Sequence, residues 1–387
     1  MYDSKNLEID GEEVNIDEFD DIDLREEFYP FFSDIYKDIK DYTRFHNAID
    51  RFMWLLRLRY SGKETIKSKK YRLDVLFQQY IITNNICSED IAKRLIGEKH
   101  SKEKFIYFLQ QGWYNELAMA YPFVDEPMNL KTSIRFSKAN WKVDLFPSWY
   151  IIKSYYAMYS YYNALVFTNS DSINTFQHRK STCHFNCALL KKFSNGLFYY
   201  PFNISVPMFS DIEALRGIRR KEWSFGYSKF PRDSKKTIYD IEMDFIEDLK
   251  GVREELKCKA PVSIIDLLYL FRVWANYIGN DTIVRLQSGG LLLFLERNLY
   301  SLTFFIAGFC EILAIAFLGE KEFIKSFMRF YKDFILEKDE LYNNWYLIPQ
   351  IQRLRIYENL GLINNIPERM EPPNQDPLVL VERGVVV

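Results

Sequence analysis

Between Arg216 and Lys236 the chain interleaves cations with rings. Arg216, Arg219, Arg220 and Lys221 precede Trp223, Phe225 and Tyr227; Lys229, Arg232, Lys235 and Lys236 follow. Single-stranded nucleic acid is bound by this combination, because aromatic faces stack on bases while lysine and arginine meet phosphates. The same stretch also reads as a surface loop pinned to an aromatic core by its rings. An earlier basic cluster, Lys63, Lys67, Lys69, Lys70 and Arg72, follows Gly62. It offers sequence-independent phosphate contacts or a solvated face.

Metal chemistry has less to work with. His178, Cys183, His184 and Cys187 are ligand types, and the two cysteines stand at i and i+4, on one face of a helix. A zinc site adds a second, separated ligand pair, which His46 and His100 do not supply, so the cysteines read as helix core. Neither a metal nor a cofactor is expected. Ser288-Gly-Gly lacks the lysine and the serine or threonine that complete a phosphate loop. The acid pairs Asp20–Asp21 and Glu254–Glu255 are adjacent, and adjacent helical residues do not face one site. No G-x-S-x-G elbow and no HExxH motif occurs.

The element that must organise these residues is Trp149–Phe167, rich in tyrosine. From Ile152, apolar or aromatic side chains recur at Tyr155, Tyr156, Tyr159 and Val166, the spacing of one helical face. Ala157, Ser160 and Ala164 form a second stripe, small enough for a neighbouring helix to approach closely. After a polar loop, 168–175, the segment from His178 to Phe193 repeats helical spacing at Phe185, Leu189, Leu190 and Phe193. These two segments are expected to form an antiparallel hairpin.

Further helices are expected over Leu24–Tyr60, Glu89–Leu95, Lys102–Ala120, Ile238–Leu256, Ile264–Tyr277, Leu291–Leu318, Glu320–Leu336 and Asp339–Leu360. Glycines and prolines punctuate Ser194–Pro261, which reads as loops with a few strands, inserted at about 195–262. The chain therefore divides into an acidic arm and N-terminal helical region (1–140), a helical core with the insertion (141–340), and a C-terminal helix with an extended tail (341–387). The tail, VLVERGVVV, is strand-like and suited to pairing with a sheet edge or a partner chain.

Composition is consistent with an all-α chain built around rings. Of 387 residues 48% are hydrophobic and 17% aromatic, which argues against wholesale disorder. The net charge of -2 hides segregation: the first 27 residues hold twelve acids against Lys5 and Arg25, and residues 1–23 read as an acidic, weakly ordered arm. Five irregularly spaced cysteines fit a reducing compartment. The N-terminus has no apolar core of a secretory signal, and Leu291–Leu318 carries Glu296, Arg297 and Glu311, which suits a buried helix better than a membrane span. A cytoplasmic protein without a membrane partner is expected.

Three pieces in order resemble a HEPN domain, the higher-eukaryote and prokaryote nucleotide-binding helical bundle. SYYAMYSYYNALV at Ser154–Val166, with Tyr155, Tyr156 and Tyr159, resembles the family's signature helix. The loop into His178 and Arg179 resembles the turn that follows it. FRVWANY at Phe271–Tyr277, with Arg272, Asn276 and Tyr277, resembles a later helix. The resemblance implies an all-α, HEPN-like bundle in a bacterial defence or toxin–antitoxin type assembly. Catalytic members cleave RNA without metal, using an arginine followed four to six residues later by histidine. Histidine serves as acid or base near neutral pH, and arginine holds phosphate bidentately. Here Arg272 is followed by Val, Trp, Ala, Asn and Tyr, and no histidine occurs further on. Arg179 and His184 match the spacing elsewhere.

The expected function is thus a non-catalytic component contacting RNA, another nucleic acid, a protein partner or a second copy of itself. One alternative is a metal-independent endoribonuclease using Arg179 and His184. Another is a scaffold whose acidic arm or C-terminal tail docks in a neighbour.

Overall fold

The structure, a computed structural model, describes residues 6–9, 12–15, 35–60, 73–86, 100–125, 147–168, 178–186, 199–206, 238–257, 261–277, 291–336 and 348–364. Among these the chain is helical throughout except for one hairpin, an isolated bridge and short turns. Strand β1 (Asn6–Ile9) pairs antiparallel with β2 (Glu12–Asn15), Asn6 opposite Asn15 and Ile9 opposite Glu12. Asp10 and Gly11 lie between the strands in sequence, a dipeptide favoured in two-residue hairpin loops. Within the acidic arm expected over 1–23, the described residues are this strand pair.

The helices are α1 (Ile35–Tyr60), α2 (Leu73–Asn84), α3 (Lys102–Asp125), α4 (Pro147–Val166), α5 (His178–His184), α6 (Ile238–Glu255), α7 (Ile264–Tyr277), α8 (Leu291–Leu318), α9 (Glu320–Tyr331) and α10 (Pro349–Asn359). A π-helical turn, Lys332–Leu336, follows α9. The expected Asp339 start lies outside the described residues, as does Glu89–Leu95. The chain forms two units, each assembled from separate stretches: 1–59 with 172–298, and 60–171 with 299–387.

In the first unit α1 supplies the central apolar face. Tyr42, Phe45, Ile49, Phe52 and Leu56 are buried at helical spacing. Phe45 stacks on Phe271 of α7 with centroids 4.9 Å apart, and Phe52 meets Phe245 of α6 at 5.4 Å and Phe202 at 5.2 Å. Along the polar flank Arg44 pairs with Glu255 at 2.6 Å and Arg51 with Asp248 at 2.5 Å. One partner ascends as the other descends, so α1 and α6 run antiparallel. The strands expected in 194–261 reduce, among described residues, to a bridge between Val206 and Val262.

The second unit is built around α4. All its described side chains are buried except Trp149, Lys153 and Tyr156, so both the tyrosine stripe and the small-residue stripe face neighbours. Gly112 of α3 makes close passage possible: a Cβ there would lie 2.6 Å from the Tyr161 ring. Phe77 of α2 packs edge-on against Phe304 and Phe305 of α8 at 5.6 and 5.2 Å. Helix α8 ends at Gly319, whose φ of 85° is open to glycine at little strain. From there α9 turns Phe323, Phe327 and Phe330 onto Trp113, leaving Lys321, Glu322, Lys325 and Arg329 in water.

Candidate functional site

Helix α7 begins with a reciprocal cap. The Ser263 hydroxyl accepts the Ile265 N–H at 3.2 Å, while the Asp266 carboxylate accepts the Ser263 N–H at 2.8 Å. This capping box satisfies two amide donors that the first turn would otherwise leave open. Asn186, just past α5, ties into it: its Nδ2 donates to Asp266 at 2.7 Å and to the Pro261 carbonyl at 3.0 Å, and its Oδ1 accepts from Ser263 Oγ at 2.8 Å. Burial pushes the Asp266 carboxyl up to about 6, against hydrogen bonds from Ser263 and Asn186 and the charge of Arg179.

With its far end fixed there, α5 lays its first residues beside the next turns of α7. His178 is half-buried, its ring centroid 6.3 Å from that of Tyr269. Arg272, one turn beyond Tyr269 and 8% exposed, places Cζ 5.2 Å from the same ring centroid, within cation–π range. Burial first, and the Arg272 charge second, lower the His178 pKa to about 4. At neutral pH the cluster therefore presents a guanidinium beside an uncharged imidazole.

The sequence-selected residues separate as follows. His178 and Arg272, from two of the family-like pieces, meet in the first unit, with half-buried Asn276 one turn further along α7. Tyr277 ends that helix. Tyr155, Tyr156 and Tyr159 belong to α4 in the second unit. Arg179 is buried and donates Nη2 to the Leu256 carbonyl at 3.1 Å. Five residues on, His184 is half-buried and about 140° around the helix from it, so the two side chains leave α5 on different faces. Arg216, Arg219, Arg220, Lys221, Trp223, Lys229, Arg232, Lys235 and Lys236 lie outside the described residues, as do Lys63 to Arg72 and the tail from Pro377. Among the described residues no three His, Cys, Asp or Glu side chains group as metal ligands.

A second polar cluster, in the second unit, has no counterpart among the residues selected from the sequence. Arg353 of α10 is 0% exposed and lies between Glu116 of α3 and Glu311 of α8. Its Nη1 and Nη2 donate to the two Glu116 oxygens at 2.6 and 2.7 Å; Nη2 and Nε donate to those of Glu311, each at 2.7 Å. Glu116 also accepts from Tyr161 Oη at 2.6 Å and Gln350 Nε2 at 3.0 Å. Glu311 accepts from Trp113 Nε1 and Tyr357 Oη, each at 2.7 Å. Burial pushes the Glu116 carboxyl up, opposed by Arg353. Burial alone would lower the Arg353 pKa, but the two carboxylates outweigh it and hold the guanidinium firmly protonated. The apolar surroundings of Glu311, in a helix long and apolar enough over Asn298–Leu318 to cross a membrane, were its sequence signal. Most of that span is buried within the protein.

Comparisons with family models, with curated proteins and with solved structures return no match for this chain.

Proposed function

We propose that the chain is a HEPN-like component of a bacterial defence or toxin–antitoxin type assembly that takes up nucleic acid without cleaving it. The observation that carries this reading is that His178 and Arg272 both stand against the Tyr269 ring. A guanidinium offers a planar fork of donors suited to phosphate oxygens. A neutral imidazole near it, on a residue that is only half-buried, adds a hydrogen-bonding group without further charge.

Binding is favoured over cleavage on two grounds. Arg272 has no histidine at the family's catalytic spacing. Arg179, the arginine that does have one, uses its guanidinium on the Leu256 carbonyl.

Fluorescence anisotropy with single-stranded RNA tests the reading. Arg272→Gln, scored with its helical circular dichroism intact, is expected to weaken binding at all sequences and to lower the salt slope by about one phosphate's share. Unchanged affinity and slope would sink the proposal. In excess chelator the RNA should stay intact; cleavage that His184→Ala abolishes would establish the ribonuclease alternative instead.

A further inference from the structure

Helix α7 is buried at every residue from Ile264 to Ala275, and Asn276 is the first of its residues to reach solvent. Tyr269, Arg272 and Asn276 recur at i, i+3 and i+7 and therefore share one face of the helix. The four-residue step from Arg272 to Asn276 brings their Cβ atoms to about 5–6 Å. The carboxamide is thus a neighbour of the guanidinium that stands against Tyr269. Asn276 is half-buried and makes no hydrogen bond among the described residues. A polar group partly withdrawn from water and left unpaired costs free energy. Local structure does not explain the choice of residue either. Asparagine is a weaker helix former than alanine or leucine, and α7 runs on through Tyr277, so position 276 is not a cap of the kind asparagine favours.

The chemistry of the amide selects what it would meet. A carboxamide presents a donor and an acceptor side by side, whereas the oxygens of a phosphate diester only accept. Phosphate would leave the Asn276 carbonyl oxygen unpaired, and the neighbouring guanidinium already offers donors in the geometry that phosphate takes. A base edge satisfies both halves of the amide at once. Adenine is the base with which asparagine pairs bidentately: its N6 amino group donates to the amide oxygen and its N7 accepts from the amide nitrogen.

We infer that Asn276 is the specificity-determining residue of the His178–Arg272 site, pairing with an adenine of the single strand whose phosphate Arg272 holds. The inference rests on the reading of Arg272 as a phosphate contact and adds a base preference to it. Phosphate contacts fix the register of a strand without reading its sequence, and base contacts supply the discrimination. Loss of Arg272 and loss of Asn276 therefore have different signatures.

The test uses the full chain and its Asn276→Ala, Asn276→Leu and Arg272→Gln variants, each scored with its helical circular dichroism intact. Labelled oligouridine, and the same strand with one central adenosine, cytidine or guanosine, are titrated at several salt concentrations. The parent is expected to bind the adenosine strand at least about fivefold more tightly than the other three. Both Asn276 variants should abolish that preference and keep the parent's salt slope. Leucine approximates the shape of asparagine without its hydrogen bonds, so loss in both variants assigns the preference to the amide rather than to packing. Arg272→Gln should weaken all four strands and lower the slope. A parent without preference for adenosine, or a preference that survives in either Asn276 variant, overturns the inference; the Arg272 reading then stands if Arg272→Gln still lowers affinity and slope. If Arg272→Gln changes neither, or if no strand binds, that reading falls and this inference with it.

Discussion

Arg353 and Arg272 are both almost wholly buried, one between two acids and the other against a tyrosine ring. Around Arg353, two carboxylates each accept four hydrogen bonds, and the Phe304 ring lies 5.0 Å beneath the guanidinium. The charge is consumed within the core, and what remains is a geometric constraint holding α3, α4, α8 and α10 in register. Arg272 instead lies on a tyrosine face and contributes to keeping the neighbouring imidazole unprotonated. Between its carboxylates Arg353 specifies structure; Arg272, against Tyr269 and near a half-buried neutral imidazole, is the one to which the proposed function gives the phosphate contact.

The largest effect should come from breaking the closed cluster. Arg353→Met leaves Glu116 and Glu311 facing each other in the core, and loss of one partner of a buried ion pair costs about 3–5 kcal/mol. Urea unfolding should report that loss, and combining the change with Glu116→Gln and Glu311→Gln should recover part of it. A single variant as stable as the parent would mean that these charges do not hold the unit together. Gly112→Ala comes next, because its methyl group must displace the Tyr161 ring that donates to Glu116. Overpacking of this kind costs about 1–3 kcal/mol, measurable as a lowered unfolding midpoint. In the α5–α7 cluster, Ser263→Ala removes the cap that anchors α7, worth about 1 kcal/mol, and should also shift the His178 ring resonances.

Two contributions to the pH dependence of stability oppose each other, so their net effect is smaller than either. Asp266, raised from 3.8 to about 6, holds a proton in the folded chain that the unfolded chain has lost. Its contribution is full below pH 3.8 and is lost as pH rises through 6. His178, lowered from 6.5 to about 4, contributes above pH 6.5 and loses that contribution as pH falls towards 4. His178→Phe should therefore make stability decline more steeply with rising pH between 4 and 6, and Asp266→Asn should do the reverse. Chemical denaturation at four pH values distinguishes these slopes from a parallel shift.

Long, strongly periodic helices were legible in the sequence. Ile264–Tyr277 and Leu291–Leu318 have the bounds their apolar spacing predicts. The tyrosine helix starts two residues earlier than Trp149, at Pro147, whose fixed φ suits a first helical position. The division into units was not legible, because each unit draws on stretches more than 100 residues apart and periodicity reports only local structure. Polar clusters were partly legible. Ser263-Ile-Ile-Asp266 is a capping-box pattern in plain view, and Glu311, an acid within an apolar run, announces a buried partner. Nothing local points from Glu311 to Arg353, 42 residues away, or to Glu116. The Arg179–His184 spacing illustrates the converse: a five-residue step that fits the motif puts the two residues about 140° apart once the segment is the helix α5.

The most direct test is a histidine NMR titration of the intact chain, free and with single-stranded RNA, the four imidazoles assigned by substitution. The free His178 ring should stay neutral down to about pH 5, Arg272→Gln should raise its pKa, and bound RNA should raise it as phosphate offsets the Arg272 charge. A free His178 titrating near 6.5, unmoved by either Arg272→Gln or RNA, would contradict the assignment of this cluster as the phosphate-contacting site.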